Sequence, residues 1–95
     1  MRTKRLDWSL RSLADADTIF GFYAETASFE TARSAKDAIA RGTQTLQRNP
    51  LAYRTGKRGT REYVMQQFPF IIIYRVYPSH IRIIRVLHQA RSYFN

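Results

Sequence analysis

Two strongly apolar runs near the C-terminal end constrain the fold of this chain more than any other feature. The runs are Phe70–Tyr77 and Ile81–His88, and Pro78-Ser79-His80 separates them. β-Branched and aromatic side chains crowd both runs and are typical of strands, while Pro78 favours a turn. The stretch 68–91 therefore predicts a β-hairpin at the centre of the fold.

Both faces of the first predicted strand are apolar enough to need cover. Alternation places Phe70, Ile72, Tyr74 and Val76 on one face, and Ile71, Ile73, Arg75 and Tyr77 on the other. An isolated hairpin of this kind would aggregate. The remaining segments must therefore supply cover, and a partner is a further source of it.

The segments before the hairpin predict one short strand, two helices and one more strand. The first strand is Leu6–Leu10, and the first helix begins with Ser12 or Asp15 as its N-cap and runs to about Ser28. Its apolar stripe is Leu13, Ala16, Phe20, Tyr23 and Ala27, and Ile19, Phe22 and Ala24 widen that stripe. The second helix begins near Glu30 or Thr31, runs to about Gln47, and has an apolar seam of Ala32, Ala35, Ile39, Gly42 and Leu46. Leu51–Thr60 is predicted to be a loop and Arg61–Phe68 a strand.

The predicted fold class is therefore α+β, with the element order β-α-α-β-β-β. A helical hairpin packs on one face of a small, mostly antiparallel sheet. We expect one domain over residues 1–95, because 95 residues bury a single modest core.

Composition indicates a partner of acidic character. Sixteen Lys and Arg against seven Asp and Glu give a net charge of +9. Such a field favours nucleic acid, an acidic protein surface or anionic lipid. The chain has no cysteine, which excludes disulfides and thiolate metal sites. No apolar run is long enough to span a bilayer, so we expect a cytoplasmic protein.

Candidate functional residues are mainly cations. Arg54, Lys57 and Arg58 lie in the glycine-containing loop, and Arg75, Arg82, Arg85 and Arg91 lie in or after the apolar strands. These seven are the candidate residues for binding a target or partner, because arginines in apolar strands need a counter-charge or water. The loop lacks P-loop spacing, and His80 and His88 form no metal signature, so we expect no cofactor and no metal.

The hairpin and the strand before it resemble a known family. GTREYV (59–64), FPFIIIYRV (68–76) and IRIIRVLHQAR (81–91) resemble the RelE/ParE superfamily of toxins from type II toxin–antitoxin systems. The resemblance implies growth arrest, a role in plasmid stabilisation, and a cognate antitoxin that is acidic, partly disordered and wrapped around the toxin. It also implies contact with operator DNA only through the antitoxin complex.

The superfamily implies two alternative mechanisms. RelE-like members are endoribonucleases (mRNA interferases) that cut mRNA on the ribosome with a basic cluster, but the matching positions here hold Glu62, Val64 and Ile71. If the chain is such a nuclease, its candidate catalytic residues are Arg61, His88, Arg91 and Tyr93. ParE-like members bind and poison DNA gyrase, and the Leu-His-x-Ala-Arg ending is typical of them. We favour this ParE-like hypothesis, and a non-toxic nucleic-acid-binding domain is a third alternative.

Overall fold

The central hairpin forms and lies in a five-stranded mixed sheet with two helices packed on one face. The computed structural model describes residues 4–90. Its elements are β1 (Arg5–Trp8), α1 (Leu10–Thr26), α2 (Phe29–Arg48), β2 (Arg54–Thr55), a 3₁₀ turn (Lys57–Gly59), β3 (Arg61–Val64), β4 (Phe70–Val76) and β5 (His80–His88). The spatial order is β1-β5-β4-β3-β2. β1 pairs with β5 in parallel and every other pair is antiparallel, which confirms the predicted fold class.

Both helices begin at serines that differ from the predicted caps. The Ser9 side chain accepts a hydrogen bond from the Ser12 amide, so α1 starts earlier than a cap at Ser12 or Asp15 would allow. Ser28 caps α2 in the same way by accepting from the Thr31 amide at 3.0 Å, which replaces the predicted Glu30 or Thr31. In both cases an extended serine satisfies an otherwise unpaired amide of the first turn.

The buried face is as predicted in α2 and only partly as predicted in α1. Every residue of the predicted α2 seam is buried. In α1 Ile19 of the predicted stripe is buried and Tyr23 packs against the core, whereas Leu13 of that stripe is 47% exposed and Ser12 is buried instead. Apolar residues occur on more than one side of α1, so spacing alone did not select its inward face. Ser12 tolerates burial because its hydroxyl donates to the Ser9 carbonyl at 2.8 Å.

The core lies between the helices and the near face of β4 and β5. Ile72, Tyr74, Ile81 and Ile83 are fully buried there. α2 approaches closely at Gly42, where an added Cβ would lie 3.0 Å from both the Ile72 and Tyr63 side chains. The predicted even-numbered face of β4 is therefore the core face.

A β-bulge in β5 changes the parity expected for its C-terminal half. Ile73 pairs with Arg85 while Tyr74 pairs with Ile83, so Ile84 is the extra residue. Such an insertion reverses the alternation beyond it. Val86 is therefore buried with Ile81 and Ile83, and the core-facing residues of β5 change from odd-numbered to even-numbered at the bulge.

The segment between α2 and β4 contains more secondary structure than predicted, and the strand that was predicted there is shorter. The predicted loop contains β2 and the 3₁₀ turn, in which Arg58 adopts the left-handed conformation with φ 56°. β3 ends at Val64 rather than Phe68. The chain turns there because the Met65 amide donates to the Phe70 carbonyl at 3.0 Å, and Pro69 lacks an amide hydrogen.

Candidate partner-binding face of the sheet

The sheet face opposite the helices, here named the open face, carries most of the candidate residues. Directly opposed residues of neighbouring strands share a face, so the strand registers define three rows across it. The rows are Asp7–Arg82–Arg75, Arg54–Glu62–Ile73–Arg85 and Val64–Ile71–Leu87. The helices pack on the core at the opposite face, and α1 reaches the open face at its β5 edge, where Asp15 binds Arg85. The open face thus changes from apolar at one end to basic at the other.

The apolar end of the open face is the row Val64–Ile71–Leu87. Each of these three side chains is only partly buried. Contiguous partly exposed apolar side chains on a sheet mark an interaction surface more often than isolated ones do. This row is therefore available to a partner's apolar side chains.

The middle row contains two neutralised arginines. Arg54 donates from Nε to Glu62 Oε1 at 2.8 Å, and Glu62 is only 5% exposed. Arg85 donates two hydrogen bonds, of 2.7 and 3.0 Å, to the carboxylate of Asp15 in α1. This pairing raises the pKa of the Arg85 guanidinium. Ile73, between the two pairs, is 2% exposed. The ion pairs thus shield the centre of the open face.

The basic end gathers Arg75, Arg82 and the 3₁₀ turn. Arg75 and Arg82 are directly opposed, and Arg82 is also hydrogen-bonded to Asp7. A Cβ on Gly59 would lie 3.8 Å from Arg75 Nη1, so the turn that carries Lys57 and Arg58 lies beside Arg75. Within residues 4–90, no carboxylate forms a salt bridge with Arg75. Like charges this close favour an external anionic group.

Arg61 and His88, two candidates for nuclease chemistry, do not converge. Arg61 pairs with Tyr74, and His88 with Phe70, four residues away along β4. At about 3.3 Å per residue these positions are about 13 Å apart along the strand. Arg61 donates to the Tyr53 carbonyl at 2.8 Å and so holds the loop after α2. Arg91 and Tyr93, the other two candidates, lie outside the described residues.

Both histidines make local contacts. The exposed His88 accepts a hydrogen bond at Nδ1 from the Ala90 amide at 3.0 Å, and its ring packs edge-on against Phe70. His80 begins β5 instead of lying in the turn, and its ring stacks on Tyr77 at 4.8 Å. Among residues 4–90 no group of three or more potential metal ligands comes together.

Sequence reasoning missed the acidic partners of the arginines. Asp7, Asp15 and Glu62 provide three of the seven acidic side chains, and each neutralises an arginine of the open face. Asp7 and Asp15 are 75 and 70 residues away from their partners, so no local spacing could indicate those pairs. Only the Arg54–Glu62 pair, which joins the predicted loop to the predicted strand that follows it, could be predicted from local sequence spacing.

Comparison with known proteins decides the family. The family model of the ParE toxin of type II toxin–antitoxin systems, parDE, matches residues 6–93. The chain belongs to the ParE toxin family. This result confirms the resemblance seen in the β3–β5 motifs and its ParE-like character.

Similar proteins agree with this assignment. "Putative toxin Y4kP" of Sinorhizobium fredii is 34% identical over 94 residues, which cover 98% of this chain and 96% of that protein. The chromosomal ParDE toxin–antitoxin system from P. aeruginosa contains a chain with a TM-score of 0.82 and 28% identity, over 90% of this chain and 96% of that one.

More distant structures share the fold. A chain of the RelBE2 toxin–antitoxin complex from Mycobacterium tuberculosis has a TM-score of 0.67 at 18% identity, with 96% of this chain and 97% of that one covered. A chain of the E. coli DinJ-YafQ toxin–antitoxin complex has a TM-score of 0.60 at 15% identity, with coverage of 93% and 94%. Within residues 4–90, neither helix has the length and apolar character needed to cross a membrane.

Proposed function

We propose that this ParE-family toxin arrests growth by binding and poisoning DNA gyrase through its open face. A cognate acidic antitoxin neutralises it, as in a plasmid-stabilisation module. One observation carries the choice of a binding mechanism. Glu62, Val64 and Ile71, at the positions where RelE-like nucleases have basic residues, lie on the open face, and Val64 and Ile71 are directly opposed.

These three side chains are unsuited to cleaving a phosphodiester. A nuclease must stabilise charge that develops on the phosphate, which requires cations aimed at it. Val64 and Ile71 are apolar. Glu62 is anionic and accepts a hydrogen bond from Arg54. The same surface suits protein binding, because it has an apolar zone at one end and a basic zone at the other.

The basic end supplies the charge contribution to this binding. Arg75 and Arg82, together with Lys57 and Arg58 of the turn, form a cationic edge at the opposite end of the open face from the apolar row. A complementary acidic surface is attracted to such an edge, which raises the association rate and fixes orientation. The antitoxin covers part of the same hairpin face, so that it and the target compete.

The mechanism is tested by expressing the full chain without its antitoxin and by adding purified toxin to gyrase. We expect growth arrest, gyrase-dependent DNA breaks and intact transcripts in cells, with inhibited supercoiling in vitro. Arg75→Glu should weaken inhibition at least tenfold, because it reverses charge at the basic end. Arg33→Glu on α2 makes the same change in net charge away from the open face and should have little effect.

Three outcomes would overturn this proposal. Cut mRNA with intact chromosomes would assign the chain to ribosome-dependent nucleases. Salt-dependent binding to nucleic acid without growth arrest would assign it to non-toxic nucleic-acid-binding domains. An antitoxin complex in which the partner touches only α1 and α2 would contradict the shared binding face.

A further inference from the structure

The basic end of the open face extends one row beyond Arg75 and Arg82. This row is Arg5–His80–Tyr77, because Arg5 pairs with His80 and the Tyr77 amide donates to the His80 carbonyl at 2.8 Å. Arg5 and Tyr77 are exposed, and within residues 4–90 Arg5 forms no salt bridge. The basic end therefore combines cations with aromatic rings.

The rings of Tyr77 and His80 form a stacked pair. Their centroids are 4.8 Å apart and their planes differ by 13°. The Lys4 ammonium donates to the Tyr77 and Pro78 carbonyls at 3.3 and 2.9 Å, which holds the turn beside the pair. Surfaces that bind nucleic acid combine rings, which pack on bases and sugars, with cations, which pair with phosphates. An acidic protein side chain would use the cations and leave the rings without a contact.

The 3₁₀ turn places Arg58 on the other side of Arg75. Among the described residues other than glycine, Arg58 alone has a positive φ, of 56°. This conformation is less favourable for arginine than for glycine or asparagine, so the turn itself does not favour arginine at this position. A residue that is held in an unfavourable conformation often has a functional reason. Its position beside Arg75 supports a contribution of the Arg58 side chain to binding.

The cations of the basic end follow one another across the sheet. Neighbouring strands are about 4.8 Å apart, so the row from Arg82 through Arg75 to the turn spans about 10 Å. A DNA strand carries one phosphate per about 3.4 Å of helix axis, and therefore presents about three phosphates over this length. A protein surface would need several carboxylates within the same length, where they repel one another. Asp7 is hydrogen-bonded to Arg82 and reduces its attraction for anions, so Arg75 is the stronger site.

We infer that the basic end contacts the backbone of the DNA that gyrase holds, rather than the gyrase protein. Arg75 is the main phosphate contact, and Arg5 and Arg58 lie on either side of it. The stacked rings of Tyr77 and His80 pack on the sugars between phosphates. The inference rests on the proposed function, because gyrase presents the DNA. The apolar row at the other end of the open face is then available to the protein surface of gyrase.

The affinity of the full chain for gyrase, with and without a bound DNA duplex, tests this inference. We expect at least tenfold higher affinity for the gyrase–DNA complex. Arg75→Ala should weaken binding to that complex at least fivefold and binding to gyrase alone less than twofold. Arg33→Ala, at an exposed position of α2, removes the same charge and should weaken either interaction less than twofold.

The salt dependence of binding identifies the phosphate contact. Binding to a phosphate releases counterions, so the affinity for the gyrase–DNA complex should fall steeply with salt concentration. Arg75→Ala should reduce the slope of log affinity against log salt by about 1. Tyr77→Ser should weaken binding to this complex at least threefold with an unchanged slope, because the ring contact carries no charge. A slope that Arg75→Ala leaves unchanged would overturn the inference.

The two binding measurements separate this inference from the proposed function. Equal affinity of the wild-type toxin for gyrase with and without DNA would overturn the inference. Equal losses for Arg75→Ala in both states would also overturn it and assign the basic end to an acidic surface of gyrase. Failure to bind gyrase in either state would instead contradict the proposed function. Binding to the duplex alone at low salt would then decide the phosphate contact, which requires weaker binding by Arg75→Ala than by Arg33→Ala and is overturned by equal binding.

Discussion

At the scale of single residues, the arginines of the open face depend on acidic residues from other elements. Arg85 and Asp15 are 25% and 16% exposed at their side chains, and Asp15 also accepts from the Val86 amide. Asp15 therefore neutralises a partly buried cation and satisfies the β5 edge at the same time. It couples α1 to the sheet through polar contacts as well as through the core.

Replacement of Asp15 should separate these two contributions. Asp15→Ala leaves Arg85 without its counter-charge and the Val86 amide without an acceptor, so we expect a loss of about 2–4 kcal/mol in the free energy of unfolding. Asp15→Asn retains an acceptor oxygen and should lose less. Urea unfolding at pH 7 measures both variants. Equal, small losses would show that water replaces Asp15 at this edge.

Tyr74 predicts a pH dependence at alkaline pH. Burial raises its pKa to about 12, although the charge of Arg61 lowers it, and its hydroxyl donates to the Pro50 carbonyl at 2.7 Å. Tyrosine in the unfolded chain has a pKa of about 10. Between these values the unfolded state binds fewer protons, so the contribution of Tyr74 to stability is present below about pH 10 and is lost as pH rises towards 12.

The Tyr74→Phe variant isolates this effect. At pH 7 it should be less stable by about 1–2 kcal/mol, because the Pro50 carbonyl loses its donor. The difference from wild type should shrink by about 1 kcal/mol between pH 9 and pH 11, since phenylalanine does not titrate. Urea unfolding at each pH gives the two curves. A constant difference would mean that Tyr74 ionises at its ordinary pKa in the folded protein.

At the scale of secondary-structure elements, the sequence predicted those elements that a local residue pattern defines. The β4–β5 hairpin and the α2 seam follow from periodicity and were confirmed. Periodicity reports neither the Ile84 bulge, which shifts the register between β4 and β5, nor the parallel pairing of β1 with β5, whose partners are about 75 residues apart. The inward face of α1 was predicted correctly at Ile19 and wrongly at Leu13, because tertiary contacts bury Ser12 in place of Leu13.

The candidate site was predictable in outline only. Alternation correctly separated Ile71, Ile73 and Arg75 from the core face of β4. It could not show that Arg85 lies opposite Ile73, since the bulge sets that register. The strand β2 also escaped prediction, because it has only two residues and lies within a segment that reads as a loop.

Two glycines in the helices should respond oppositely to alanine. Gly42→Ala places a Cβ 3.0 Å from Ile72 and Tyr63, and should destabilise the protein by about 1–2 kcal/mol despite the higher helix propensity of alanine. Gly21→Ala meets nothing within 4 Å and should stabilise by about 0.5–1 kcal/mol. Chemical denaturation of both variants measures the contrast. Stabilisation by both would show that α2 can move away from the sheet without cost.

At the scale of the whole molecule, the positive charge of the free toxin exceeds what its own acidic residues can balance. In the described part of the chain, residues 4–90, three ion pairs hold Asp7, Asp15 and Glu62, and the net charge of the full chain is +9. Like charges repel in the compact state more than in an expanded chain. An acidic partner bound to the native state removes part of this repulsion and adds binding free energy to stability.

Salt should therefore stabilise the isolated toxin. Raising NaCl from about 20 to about 300 mM shortens the screening length to below about 10 Å, which weakens repulsion between separated cations more than the contacts within close, partly buried ion pairs. We expect the Tm of the free toxin to rise by several degrees over this range. The Tm of the antitoxin complex should rise less or fall, because salt also weakens attraction between the two chains. A fall in the Tm of the free toxin would show that its three ion pairs outweigh the repulsion, and that the partner is not needed to balance the charge.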